Sequence, residues 1–374
     1  MSLGTYFNLV KSSTMKRLRR LKNFMEVKGL SALILFEDDP IAYKLALTNH
    51  FNVVLILSDE LYVFTDATLY YEALNESPWS IVLIENFTLD ELTRKLLSLL
   101  ERHEKIERLV VGVNKAWGRT KVSFLYADLI NALRARGIDL ADATELLTYV
   151  FDKPFDEELA IVKWISDAAS QALEAVEETL KPGMREYEVA AIADRVLSEN
   201  GIVDRWFTTI VASGPRASSP HAKTSIRKIV PGDPVVVDLG PLWMGYDGCV
   251  AHTFIVGRNN YWNKVLGNVI DALRVGLEHA KPGVPVKVLD EIPRGLLKKR
   301  GYPDYPHLTG HPIGGFYRPV IASFIDYSLE PGMVFAYEPA IYIPGRGGIR
   351  IEPHILVSNQ GYDILTEYHK KFLK

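Results

Sequence analysis

Asp238, His311, Glu338 and Glu352 are the residues whose types and settings could do chemistry together. Asp238 ends the apolar run Val235-Val236-Val237, and Glu338 ends Val334-Phe335-Ala336-Tyr337. A carboxylate closing such a run is costly to bury alone, and needs an ion pair, hydrogen bonds or a cation. Three acids with one imidazole suit a divalent Zn, Mn, Co or Fe ion that activates water. Taken singly, each has an ordinary explanation: Asp238 can cap a turn, Glu338 before Pro339 can pair with an arginine, and His311 can line a loop. Taken jointly they favour a metal site, because two of the acids are related by an internal repeat.

That repeat organises the second half of the chain. Lys181-Pro182-Gly183 recurs as Lys281-Pro282-Gly283, each after a long helical pattern and each followed by a glycine, Gly201 and Gly301. Pro231-Gly232 before Asp238 likewise recurs as Pro331-Gly332 before Glu338, at the same offset of 100 residues. Two halves on one plan predict a pseudo-two-fold arrangement that brings both acids to the centre. Pro293 has no counterpart in the first copy and is expected to kink or end its helix early.

The elements that must carry these residues fall into two domains, 1–150 and 151–374, with the change of pattern near Asp152-Lys153-Pro154. Ile161, Ile165, Ala168, Ala172, Val176 and Leu180 recur at helical spacing, giving a long helix that stops at Lys181-Pro182-Gly183. The first domain alternates helices (Met15 to Lys28, Leu89 to His103) with short apolar strands. The strands are Ala32 to Phe36, Val53 to Leu57, Leu61 to Phe64, Ile81 to Ile84 and Leu109 to Val113, which together make an α/β layer. The basic run Lys16, Arg17, Arg19, Arg20 and Lys22 reads as a solvated helix face.

The 374 residues are 48% hydrophobic and 24% charged, the composition of a folded protein with a core in each domain. Forty-three basic against 46 acidic residues give a net charge of -3, which argues against nucleic acid or anionic membrane as a partner. Cys249 is the single cysteine, so no intrachain disulfide forms. Apolar runs are strand-sized, and the N-terminus carries no export pattern, so a cytoplasmic protein is expected. Phosphate-loop, His-Glu-x-x-His, Gly-x-Ser-x-Gly and dinucleotide glycine motifs are absent.

Asp238-Leu239-Gly240, His307-Leu308-Thr309-Gly310-His311-Pro312, Glu338-Pro339 and Gly348-Ile349-Arg350-Ile351-Glu352 together resemble the proline-specific metallopeptidases of the pita-bread fold. These are the Xaa-Pro dipeptidases (prolidases) and aminopeptidases, related to methionine aminopeptidase and creatinase. The resemblance implies a creatinase-like α/β N-terminal domain before an α+β pita-bread domain, a homodimer, and a short proline-containing peptide as substrate. It also implies one or two divalent ions held by Asp238, His311, Glu338 and Glu352, with His221 on the substrate side, His307 in the proline-specific pocket, and Arg350, Asp247 and Thr253 supporting the ligands.

The sequence departs from that pattern twice. A second aspartate is expected eleven residues after Asp238, where Cys249 stands, in Gly245-Tyr246-Asp247-Gly248-Cys249. A bridging carboxylate gives one oxygen to each of two ions, and a thiolate does so less readily in a site of hard oxygen donors. Asp247 could reach inward instead if residues 247 and 249 lie on one face of a strand, or Cys249 could ligate Zn itself. Arg318 stands where a second proton-handling histidine is expected, and can hold an oxyanion or a substrate carboxylate but not act as an acid near pH 7. The first expectation is therefore metal-dependent Xaa-Pro hydrolysis with Glu338 moving the proton and His221 assisting. The alternatives are a homologue kept as a binding or scaffold protein, and a metal-independent creatinase-like C–N hydrolase using His221.

Overall fold

The computed structural model describes residues 2–373 other than 38, 59, 87, 103–109 and 115–123. His103 and Leu109, expected as ends of a helix and a strand, lie outside the described residues. The chain divides into two compact units, Met1–Asp152 and Lys153–Lys374.

The first unit is a six-stranded mixed sheet in the order β4-β3-β2-β1-β5-β6. Its strands are β1 (Ala32–Phe36), β2 (Val53–Leu57), β3 (Leu61–Asp66), β4 (Ser80–Ile84), β5 (Val110–Val113) and β6 (Asp139–Asp142), and its helices α1 (Leu3–Val27), α2 (Pro40–Ala46), α3 (Tyr70–Glu76), α4 (Leu89–Arg102), α5 (Phe124–Ala135) and α6 (Thr144–Val150). β1 and β2 are buried at every position, as continuous apolar runs covered on both faces should be. The basic run of α1 is not wholly a solvated face. Arg17 is only 1% exposed, donates to the Val150 carbonyl at the end of α6 and lies over the Phe151 ring. A cation there satisfies a carbonyl that the helix leaves unpaired, a long-range use that periodicity could not reveal.

The second unit carries the repeat. Its helices are α7 (Asp156–Thr179), α8 (Glu186–Glu199), α9 (Asn260–Leu277), α10 (Val286–Lys299) and α11 (Glu367–Leu373). Its strands are β7 (Asp204–Arg205), β8 (Ile210–Ser213), β9 (Pro234–Leu239), β10 (Pro241–Trp243), β11 (Tyr246–Asp247), β12 (Val250–Ile255), β13 (Gly310–Pro312), β14 (Val334–Tyr337), β15 (Ala340–Ile343), β16 (Gly347–Arg350), β17 (His354–Val357) and β18 (Tyr362–Ile364).

The copies agree down to single hydrogen bonds: Gly183 N–H donates to Ile229 O and Gly283 N–H to Leu329 O. Both glycines have positive φ, 93° and 82°, which is why each helix is followed by Pro-Gly. The long helix over Ile161 to Val176 buries those positions completely, each larger side chain contributing about 1.5–3 kcal/mol.

Pro293 neither ends nor interrupts α10, which continues to Lys299. Proline lacks the N–H that would bond the Leu289 carbonyl one turn back. Tyr337 Oη supplies that donor at 2.7 Å, so the backbone acceptor is satisfied by a side chain from β14.

Candidate metal centre

Asp238 and Glu352 are brought together by strand register. On β9, Asp238 lies opposite Ala251 of β12, and Ala251 in turn bridges Glu352, with Glu352 N–H donating to Ala251 O at 2.8 Å. Cys249, immediately before β12, thereby enters the same corner, and its thiol lies 3.8 Å from Asp238 Oδ1. His311 arrives on β13, paired with Ala336 of β14. Glu338 follows β14, its N–H donating to Thr309 O at 2.8 Å.

His311 Nε2 is 3.4 Å from Glu352 Oε1 and 3.8 Å from Glu338 Oε1. Its Nδ1 donates to the Pro312 carbonyl at 3.1 Å, which turns Nε2 toward the acids as a ligand. Although burial opposes its charging, the Glu352 and Glu338 carboxylates raise its pKa to about 9. Burial pushes Asp238 up to about 7 against the pull of Arg350, and pushes Glu338 well above the usual carboxylate range. Burial, then the neighbouring carboxylates, hold the Cys249 thiol well above its ordinary value. Burial and mutual repulsion thus disfavour the anionic forms of these groups, and a cation among them would favour those forms instead.

Both carboxylate oxygens of Glu352 are buried without a hydrogen-bond partner among the described residues. One oxygen faces His311; the other is 3.8 Å from Arg350 Nε. Cys249 Sγ, a His311 nitrogen and a Glu352 oxygen all lie within 4.8 Å of one another. Unpartnered buried oxygens beside a correctly oriented imidazole fit a divalent ion well.

Arg350 contacts both of the acids Asp238 and Glu352. It pairs with Asp238 Oδ2 through Nη2, and its Nη1 donates to Tyr342 Oη at 2.9 Å and to Pro220 O at 3.0 Å. Asp238 Oδ1 stays turned toward Cys249. The guanidinium therefore contacts both acids, bonding Asp238 and lying 3.8 Å from Glu352. Thr253 Oγ1 fixes the Arg350 backbone twice, donating to its carbonyl and accepting from its N–H, both at 2.9 Å.

Tyr342 links Arg350 to His307. Accepting from Arg350, the Tyr342 hydroxyl donates to His307 Nε2 at 3.0 Å, and His307 Nδ1 donates to Leu308 O at 2.7 Å. That order requires a neutral imidazole, in keeping with burial, which lowers its pKa to about 4. His307 Nδ1 is also 3.5 Å from Glu338 Oε2. His221 is exposed at the rim, its loop tethered by the Pro220 carbonyl on Arg350. Desolvation and the Arg350 guanidinium lower the His221 pKa, with Glu352 pulling the other way.

Two expected positions go elsewhere. Asp247 does not share a strand face with Cys249: β11 ends at Asp247 and β12 begins at Val250. Its carboxylate accepts from Gly315 N–H and its carbonyl from Gly314 N–H, so it holds the turn after β13. Arg318 turns toward Glu330, at 4.0 Å, and over the Tyr327 ring, at 5.2 Å.

Sequence reading missed Tyr342 and His354. His354 Nε2 accepts from Cys249 N–H at 3.0 Å, and its Nδ1 donates to Ser166 Oγ at 2.7 Å, fixing the Cys249 backbone. Burial keeps its pKa down at about 3. The available signal was its place two residues after Glu352. It also missed Glu186 and Asp290, buried acids that order the loops around His221 and His311. Glu186 accepts from Ser213 and Ser225, and Asp290 from Arg294, Thr309 and Ser323.

The model of metallopeptidase family M24 matches residues 161–359, and that of the creatinase/prolidase N-terminal domain matches 17–149. An Xaa-Pro dipeptidase of Pyrococcus furiosus is 38% identical over 221 residues, 58% of this chain and 64% of that protein. The chain therefore aligns with somewhat under two thirds of that relative's length. Similar solved structures include the Pyrococcus furiosus prolidase (28% identity, TM-score 0.78, covering 92% of this chain and 99% of that one). Another is the X-Pro aminopeptidase of Thermotoga maritima (26% identity, TM-score 0.80, covering 93% and 97%). These structures share the creatinase N-terminal domain and pita-bread fold. With its matched region covering more than half of the sequence, this chain belongs to metallopeptidase family M24.

Proposed function

We propose that the protein hydrolyses Xaa-Pro bonds of dipeptides or short peptides with the help of a divalent cation. The observation that carries this reading is Glu352: two buried carboxylate oxygens with no hydrogen bond among the described residues, one of them 3.4 Å from His311 Nε2. Asp238, Cys249, His311, Glu338 and Glu352 are the residues that would hold the ion. When bound, a cation of this class polarises a carbonyl and lowers the pKa of water. Glu338 takes up and returns the proton, with neutral His307 beside it. His221, at the exposed rim, steadies the substrate carbonyl side. Arg350 keeps Asp238 and the His221 loop in place. The reading also takes the protein as a cytoplasmic homodimer using Mn, Co, Zn or Fe, on the strength of the family likeness.

Purified protein supplied in turn with each of these ions is tested on an Xaa-Pro dipeptide, an Xaa-Pro-Yaa tripeptide and a dipeptide lacking proline. Release of the residue before proline, lost in Glu338→Gln with the fold intact by circular dichroism, is the expected result. Absence of turnover with every ion would favour the second reading, a binding protein that no longer hydrolyses. That reading draws on one observation, the thiol of Cys249 beside Asp238 where the resemblance expects a carboxylate.

A further inference from the structure

We infer that the centre is a single-ion site with a thiolate ligand, Cys249–His311–Glu352, selective for zinc-like ions over manganese. The inference rests on the cation-binding reading above and specifies it.

The three donors belong to different strands or strand ends, yet converge. Cys249 Sγ, a His311 nitrogen and a Glu352 oxygen lie within 4.8 Å of one another, and His311 Nε2 and Glu352 Oε1 are 3.4 Å apart. Tetrahedral zinc with N and O ligands at about 2.0–2.2 Å has its donors roughly 3.4 Å apart, so this edge already has the required length. The Cys249 backbone is fixed by His354, and the His311 ring by the Pro312 carbonyl, so both ligands are aimed before an ion arrives. Glu352 contributes a second sign of a missing ligand: it is fully buried and, among the described residues, its oxygens have only the long ion-pair contacts to His311 at 3.4 Å and Arg350 at 3.8 Å and no hydrogen bond. With Asp238 Oδ2 bonded to Arg350 and Glu338, beside His307, kept for the proton, these three donors narrow the set of residues around the ion and leave the fourth position open, as catalytic zinc sites do.

A second ion has too little to hold it. A carboxylate at position 249 would offer two oxygens, whereas the thiolate offers one atom. Asp238 Oδ2 is committed to Arg350, and Glu352 Oε2 lies 3.8 Å from the same guanidinium. Thiolate ligation also changes the preferred metal, since soft sulfur favours zinc and cobalt over manganese. The thiol proton passes to solvent as the ion binds, because a coordinating thiol is deprotonated.

Cobalt(II) chloride added to the metal-free full-length protein under reducing conditions reports the ligand directly. The expected result is one cobalt per chain by elemental analysis, with a near-ultraviolet sulfur-to-cobalt charge-transfer band. Cys249→Ser loses that band and weakens zinc binding by more than the roughly 10–100-fold that loss of an outer partner of a ligand costs. Cys249→Asp takes up two ions without the band. Cobalt bound by wild type with no charge-transfer band would overturn thiolate ligation while leaving the hydrolase reading intact. Two ions per wild-type chain would overturn the single-ion claim. No cobalt bound would overturn both this inference and the cation-dependent reading. The wild-type spectrum decides these outcomes even where a variant folds poorly.

Discussion

Cys249 Sγ lies 3.8 Å from Asp238 Oδ1, while the other oxygen of Asp238 is bonded to Arg350. One carboxylate thus faces a thiol on its open side and a guanidinium on its closed side. The arginine sets the geometry of the centre as much as the ligands do, because it also tethers Pro220 and Tyr342.

Arg350→Met leaves Asp238 buried without its partner. Breaking a buried ion pair from one side costs about 3–5 kcal/mol. Urea denaturation of the metal-free variant is expected to show a loss of that size, with a smaller loss when a divalent ion neutralises the acids.

Asp290→Ala removes the acceptor shared by Arg294, Thr309 and Ser323. Thr309 O receives the Glu338 N–H, so the loss reaches the centre through the backbone. Arg294 keeps Asp304 as a partner, so a decrease of about 1–3 kcal/mol is expected from the donors left unpaired, and Asp290→Asn should lose less because it retains two of the acceptor contacts.

A Cβ on Gly276 would collide with the Tyr337 hydroxyl that satisfies Leu289 opposite Pro293. Gly276→Ala should cost about 1–3 kcal/mol by overpacking, and Tyr337→Phe about 1–3 kcal/mol by leaving the carbonyl unpaired. Removing the hydroxyl also makes room for the methyl, so the double variant should lose clearly less than the sum, as read from a denaturation double-mutant cycle.

His252 and His369, with His354 and His307, set an acid limit on stability. Burial holds His369 down at about 3 and His252 well below its ordinary value. Both are neutral in the fold, whereas in the unfolded chain they protonate near pH 6.5. The unfolded state therefore binds more protons below that pH, and stability is complete above about 6.5 and falls as pH drops toward the folded values. Each group contributes a slope of up to about 1.4 kcal/mol per pH unit in that window. His252→Phe, which keeps the stacking on Phe372 and removes a buried nitrogen without a hydrogen-bond partner, should flatten the decline measured in urea between pH 6.5 and 4.

Much of this was legible in the sequence because the signals were local or periodic. The 100-residue offset placed Gly183 and Gly283 in equivalent turns, and apolar runs ending in Asp238 and Glu338 became strands that deliver acids. What stayed hidden depends on partners distant in sequence. Pro293 looked like a helix stop because nothing near it announces the Tyr337 hydroxyl, and Arg17 looked solvated because the Val150 carbonyl is more than a hundred residues away. Asp247 misled for a different reason. A period of two holds only within one strand, and the chain leaves β11 immediately after it.

The most direct test of the central claim is proline release from an Xaa-Pro dipeptide by one protein sample assayed as purified, after exhaustive chelation, and after zinc or cobalt is restored. The account predicts turnover that disappears on chelation and returns as the first ion per chain is added back. Turnover that survives removal of all metal, or none at any ion content, would contradict it.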